Sequence, residues 1–229
     1  MCGRFANTES GDAIKATFRV TMPAATGGGA GGGNRMPRYN ISPGVDIETV
    51  INEGGNRMLA PMHWGFILGQ LQKPVINARG ETIFEKPSFA RPARETRCLV
   101  VATGWYEWKA PRQPWFIRRR DAAPMAMAGI YRRTETGLAT VVVTRAAAGD
   151  LGTIHHRAPL TLDETGMAQW LDPAAGEDAL KSMITPTDGD GLEWYPVSAE
   201  VGQVRHDHEG LLIRDDSHGK SPAAQLDLF

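Results

Sequence analysis

The chain has 229 residues, 41% of them hydrophobic and 22% charged, enough to bury one substantial core, and it has no apolar run long enough for a membrane-spanning helix. Two cysteines, Cys2 and Cys98, exclude a disulfide framework and a CxxC zinc site, and the lack of a cationic and apolar leader points to a reducing cytoplasm. The formal net charge of -1 hides an asymmetry, because residues 79–133 carry 12 Lys/Arg against 5 Asp/Glu while residues 146–229 carry 5 against 15. A basic middle beside an acidic end suits an anionic ligand, nucleic acid included, although charge-blunted strand edges produce the same pattern.

In chain order, Cys2-Gly3-Arg4-Phe5 predicts a short extended segment, and Thr8 predicts the cap of a brief amphipathic helix carrying Ile14 and Phe18. Residues 27–33 are glycine except for Ala30 and lack the strand and helix of a phosphate-binding loop, so they predict a flexible connection. Residues 38–44 predict an extended segment ending in a turn at Pro43-Gly44. Residues 45–51 and 57–64 alternate around Asn52-Glu53-Gly54-Gly55-Asn56, the pattern of a β-hairpin. Five β-rich runs follow at 97–103, 105–109, 115–119, 125–130 and 138–144, a spacing that suits antiparallel strands curling toward a barrel. Helices are predicted late and few: 163–171, with Met167, Trp170 and Leu171 on one side, and 177–183, with Leu180, Met183 and Ile184. Residues 193–198 return to strand, and the composition after Asp215 predicts a disordered tail.

Removal of Met1, which the small Cys2 permits, leaves an α-amine and a thiol on adjacent carbons. Such a 1,2-aminothiol condenses with an aldehyde through its amine, and its sulfur then closes a five-membered thiazolidine. An internal cysteine, whose nitrogen is an amide, cannot do this. The plain alternative for Cys2 is a small buried hydrophobe. Three further positions carry chemistry. In Asn77-Ala78-Arg79-Gly80-Glu81-Thr82 the amide of Asn77 is suited to orienting a nucleophile and Arg79 to holding a phosphate. Glu107 lies among aromatics in Gly104-Trp105-Tyr106-Glu107-Trp108, where its charged form is disfavoured. His155 and His156 stand beside Arg157. Singly these fit a turn cap, an ion pair and a structural histidine; together with Cys2 they supply nucleophile, orienter, acid and base.

Met1-Cys2-Gly3-Arg4-Phe5, Arg38-Tyr39-Asn40 with Pro43-Gly44, Trp64-Gly65, the Asn77 to Thr82 segment, the Gly104 to Trp108 segment and Ile154-His155-His156-Arg157-Ala158-Pro159 occur in one order. In that order they resemble the SOS-response-associated peptidase (SRAP) family of abasic-site-processing proteins. The resemblance runs from residue 2 to about 213. It implies an α+β fold: a single β-rich domain of mainly antiparallel strands forming a pseudo-barrel with flanking helices, followed by a tail at 214–229. It also implies single-stranded DNA as partner and a covalent cross-link to an abasic site, with no cofactor and no metal. By motif, Cys2 is the cross-linking residue, Asn77 its orienting partner, and Glu107 and His155 the acid/base pair. Arg4, Pro43, Arg79, Thr144 and Arg157 are then DNA contacts. The chain departs from the family pattern at residues 65–74, which lack the tryptophans many members place there, leaving Leu68 or Leu71 as substitutes. Whether Met1 leaves by self-cleavage, as the family name implies, or by an aminopeptidase stays open.

Two other classes share features with this chain. Class II glutamine amidotransferases also begin Met-Cys-Gly and use the α-amine of Cys2 as base, but Arg4-Phe5 replaces their apolar residues and their later motifs are missing. A non-catalytic DNA-binding module is the other alternative. Separately, Gln225-Leu226-Asp227-Leu228-Phe229 resembles the short peptide by which many bacterial repair proteins dock on the β sliding clamp. Leu226, Leu228 and Phe229 would be its apolar anchors and Gln225 its register-fixing hydrogen bond, on a tether of residues 215–224.

Overall fold

The structure, a computed structural model, describes residues 2–21, 36–69, 74–109 and 112–216. The chain opens with β1 (Phe5–Asn7), α1 (Gly11–Phe18) and β2 (Arg38–Ile41), then β3 (Asp46–Glu53), β4 (Asn56–Trp64) and β5 (Asn77–Arg79). Helix α2 (Pro87–Glu95) leads into β6 (Arg97–Ala102), β7 (Gly104–Lys109), β8 (Gln113–Arg119), β9 (Met125–Thr134) and β10 (Gly137–Ala146). It continues through α3 (Gly149–Ile154), β11 (Arg157–Pro159), β12 (Thr161–Leu162), α4 (Glu164–Leu171), α5 (Glu177–Ser182) and β13 (Leu192–Pro196).

The expected hairpin forms around Gly54 and Gly55, both at positive φ (59° and 84°), the pairing that matches a tight turn to the twist of its strands. Strands β10, β4, β3, β6 and β9 are neighbours in that order, and β9 pairs back onto β10, so these five strands close into a barrel. A second sheet, ordered β13-β8-β7-β1-β2, lies beside it. Side chains alternate across the barrel wall. Leu99, Val101, Ala128, Val141 and Val143 share one core with Ile14, Phe18, Phe89, Met167, Trp170 and Leu180 of the helices. Val100, Met127 and Val142 share another with Cys2 and with Phe5, Trp105 and Ile117 of the second sheet. The fold is thus α+β, with antiparallel sheets and flanking helices.

Several expectations change. Helix α1 is capped by Ser10, whose hydroxyl accepts from the Ala13 N–H at 3.1 Å, and not by Thr8. Thr8 is already committed: its N–H donates to the Thr103 hydroxyl at 2.9 Å. Helix α2 was masked in the sequence by two prolines. Pro87 opens it, where a missing N–H costs nothing, and Pro92 removes a single hydrogen bond inside. Helix α3 and the short β5, β11 and β12 also lie outside the predicted elements. The glycine-rich segment 27–33, Leu71, and the tail beyond Asp216 fall outside the described residues.

The helices are locked to the barrel by polar as well as apolar groups. The Arg97 guanidinium, buried, donates to the carbonyls of Ala93 and Trp170 at 2.9 and 2.6 Å, tying α2 and α4 to β6. The Trp170 indole N–H reaches the carbonyls of Cys98 and Gly129, both at 3.1 Å. Replacing Trp170 by Ala opens a cavity and removes both of these bonds, and is expected to cost about 3–5 kcal/mol, read as a lowered urea midpoint. Trp170→Phe should recover part of it.

Candidate active site

Strand register begins the assembly. Phe5 lies opposite Trp105, and the Tyr106 N–H donates to the Arg4 carbonyl at 2.9 Å. Continuing that antiparallel pairing sets Glu107 beside Gly3, next to Cys2, on the same strand face as Trp105. Cys2 is fully buried in the core that also holds Phe5, Trp64, Trp105, Ile154 and Ala158. Trp64 meets Phe5 edge-on, with ring centroids 5.0 Å apart, and its indole N–H donates to the Ile76 carbonyl at 3.1 Å. That bond fixes the residue preceding Asn77. The Asn77 side-chain amide then donates to the Cys2 carbonyl at 2.9 Å.

Strand β10 brings the remaining parts together. On one side it pairs in parallel with β5, Val142 opposite Asn77 and Thr144 opposite Arg79. On the other it pairs with β11, Ala146 opposite Arg157. His155 closes α3 immediately before β11 and stacks on His156, ring centroids 4.4 Å apart. Its neighbours Ile154 and Ala158 belong to the core around Cys2. Its Nδ1 accepts the Arg157 N–H at 3.0 Å. The structure therefore gathers Cys2, Asn77, Glu107 and His155 from four separate segments.

Burial sets the protonation states. Desolvation, with the Glu107 carboxylate adding to it, raises the Cys2 thiol far above its ordinary range, so the sulfur is protonated at neutral pH. Desolvation also pushes the Glu107 carboxyl up to about 7, where acid and base forms coexist near neutrality. Burial lowers His155, leaving its ring mainly neutral at pH 7.

Of the residues ascribed to DNA contact, Arg79 is exposed at the end of β5 and Pro43 is half-buried in the turn between β2 and β3. Three others are engaged inside the protein. Arg4 donates through one nitrogen to Asn40 Oδ1 and the Val201 carbonyl, both at 2.7 Å, and so ties β1 to β2 and to the helical turn Ala199–Gly202. Thr144 is fully buried. Arg157, 9% exposed, forms a bidentate ion pair with Glu81. In this conformation Arg4 and Arg157 are held by partners within the protein and Thr144 is buried. The basic middle of the chain is partly consumed as well: Arg94 pairs with Glu177 and Arg118 with Glu193, each at 2.7 Å. Trp64 and Glu81 stand in motifs read from the sequence, but their structural roles there were missed.

A carboxyl whose folded pKa is raised from 4.5 to about 7 binds its proton more tightly in the folded state. Its stabilising contribution is complete below the unfolded value and is lost as pH rises through the folded one. Against Glu107→Gln, which cannot ionise, the native chain is expected to lose on the order of 3 kcal/mol over that window. Urea unfolding at a series of pH values measures it; parallel curves for the two proteins would contradict it.

The family model described as SOS response associated peptidase (SRAP) matches residues 1–204. The chain is 32% identical over 227 residues to the abasic site processing protein YoaM of Bacillus subtilis, covering 93% of this chain and 97% of YoaM. It is 30% identical over 229 residues to the abasic site processing protein YedK of Escherichia coli, covering 93% of this chain and 99% of YedK. Among solved structures, a phage-related protein from Bordetella bronchiseptica superposes with a TM-score of 0.69 at 28% identity, covering 86% of this chain and 94% of that one. The chain belongs to the SRAP family.

Proposed function

We propose that this protein processes abasic sites in single-stranded DNA by forming a covalent thiazolidine with them through Cys2. The observation that carries the reading is the convergence of Cys2, Asn77, Glu107 and His155 on one buried position at the start of the chain. The abasic site processing proteins to which the chain is similar supply the substrate class.

The reaction begins once Met1 is gone and the abasic sugar, which reacts as its ring-opened aldehyde, is bound. Glu107 takes the C1′-hydroxyl proton as the ring opens and releases it to water. As the C1′–O4′ bond breaks, the imidazolium form of His155, the minor species at neutral pH, protonates the departing O4′. Glu107 then takes a proton from the Cys2 ammonium, and the freed amine adds to the C1′ aldehyde. Loss of one water from the carbinolamine gives the imine. The thiol then adds across the C=N bond, its proton passing to nitrogen, and the thiazolidine closes. The buried, protonated thiol supports this order, since the amine acts before the sulfur. Asn77, on the Cys2 carbonyl, orients the nucleophile. Closure removes the imine that would permit β-elimination, so the lesion is shielded; an imine that lingers nicks the strand, a slow lyase side reaction. Arg79 and Pro43 are the proposed strand contacts, with salt-dependent phosphate binding.

Mixing the mature protein with single-stranded DNA containing one abasic site should give a denaturation-resistant species. Cys2→Ala should abolish it, and Cys2→Ser should leave only an imine trapped by borohydride. Stable adducts from Cys2→Ala, or none from the native chain, would sink the proposal.

We also propose that residues 225–229, outside the described part of the structure, dock on the β sliding clamp. The observation is the sequence itself, a glutamine and three apolar anchors after a polar stretch. Deleting these five residues should abolish clamp binding in a pull-down with purified clamp and leave cross-linking by the isolated protein unchanged. Retained clamp binding is the outcome that refutes it.

A further inference from the structure

Glu81 has no part in the reaction above, yet it holds one of the most constrained points in the molecule. It stands in the helical turn Gly80–Thr82 that follows β5. Arg157 donates to its two carboxylate oxygens, Nη1 to Oε1 at 2.6 Å and Nη2 to Oε2 at 2.8 Å. The Ala146 N–H also donates to Oε1, at 3.2 Å. The same Nη2 reaches the Thr144 carbonyl at 2.7 Å and the Thr144 hydroxyl at 3.1 Å, and that hydroxyl lies 3.4 Å from the Ala78 carbonyl. One carboxylate therefore joins the end of β5 to β10 and β11. A two-point pair fixes angle as well as distance.

The exposures of the partners give the pair a direction. The Arg157 side chain is 9% exposed and that of Glu81 41%. A nearly buried guanidinium is costly without a counter-ion, whereas the half-exposed carboxylate is solvated by itself. Glu81 is thus what keeps Arg157 in place. Arg157 in turn holds His155 by its backbone: its N–H donates to Nδ1 at 3.0 Å, and its carbonyl lies 3.2 Å from the same nitrogen. An imidazole that accepts at Nδ1 carries its proton on Nε2 while neutral. When the ring is protonated at Nδ1, the carbonyl takes over as acceptor. The N–H favours a bare Nδ1 and the carbonyl a protonated one, so the backbone of this one residue biases which ring nitrogen holds the proton.

We propose that Glu81 is a positioning residue: by gripping Arg157 at two points it fixes the backbone of that residue, which sets the tautomer and orientation of His155. The effect on tautomer stands on the geometry alone. The effect on rate rests on the proposed reaction, in which the imidazolium form of His155 delivers a proton to the departing sugar oxygen. The competing role is for Arg157 to leave Glu81 and bind a DNA phosphate, in which case removing Glu81 would tighten DNA binding and leave the histidine alone.

The test uses full-length Glu81→Ala and Glu81→Gln. In ¹⁵N-histidine spectra of the protein without DNA, with His155 assigned by its loss in His155→Gln, the native ring should show the Nε2–H tautomer. Glu81→Ala should convert it to a mixture, and Glu81→Gln, which keeps an accepting oxygen, should restore much of the native pattern. At saturating abasic DNA the single-turnover cross-linking rate of Glu81→Ala should fall about 10- to 100-fold, with DNA affinity unchanged by fluorescence polarisation and a smaller loss for Glu81→Gln. A native tautomer in folded Glu81→Ala overturns the proposal, as does tighter DNA binding at an unchanged rate. If Glu81→Ala does not fold, a native tautomer and rate in Glu81→Gln lacking the Arg157 pair overturn it instead. Absence of cross-linking by the native chain would refute the abasic-site reading, while the spectra would still decide the role of Glu81.

Discussion

The structure depends on β10 serving two assemblies with one unbroken register. Its first part, from Gly137 to Val142, closes the barrel against β9. Its last part runs on between β5 and β11 and sets the positions of Asn77 and of the segment that follows His155. In a strand a slip of one residue sends every side chain to the opposite face, so an error in barrel closure would also invert the site. Gly129 helps to forbid that slip. A Cβ there would come within 2.8 Å of Cys98 Sγ and 3.2 Å of the Thr140 hydroxyl, so β6, β9 and β10 approach closely only with glycine at this point. Stability of the barrel and geometry of the site are the same constraint.

Burial then does the electrostatic tuning. A thiol at an exposed chain start ionises partly at neutral pH and attacks carbonyls reversibly through sulfur. Within the core around Trp64 and Trp105 the thiolate is penalised, first by desolvation and then by Glu107. Under the proposed reaction this makes the amine the first nucleophile and reserves the sulfur for closure. The same desolvation brings Glu107 to about 7, so one carboxyl can accept a proton in one step and return it in another. Neither property requires an unusual residue type; both follow from where β1 and β7 place ordinary ones.

Much of the barrel was legible because period-two alternation and Gly-Gly turns are local signals. Helix α2 was not, since Pro87 and Pro92 read as breakers until the tertiary packing of Phe89 and Ala93 outweighs them. The site divides the same way. Cys2, Asn77, Glu107 and His155 could be picked out by residue type and motif, but their meeting depends on register between segments far apart in the chain. Arg4, Thr144 and Arg157 show the limit. A motif says that an arginine is present, and only burial says whether it faces a ligand or a carbonyl. Glu81 was invisible as a functional residue because its partner lies 76 positions away.

The charge asymmetry of the sequence has a related outcome. Cations of the middle segment meet anions of the later one where α2 approaches α5 and where β8 pairs with β13, as Arg94–Glu177 and Arg118–Glu193. Arg97 is spent on backbone carbonyls. What looked like an anion-attracting face is in part internal complementarity, and the whole chain carries a formal charge of only -1. A protein so balanced has little long-range attraction for a polyanion, and its hold on a strand must come from a few local cations and the bond it forms. Under the proposed function that weakness has a use: non-specific strand binding stays low, the covalent step supplies retention, and a clamp-docking tail would supply the local concentration that charge does not.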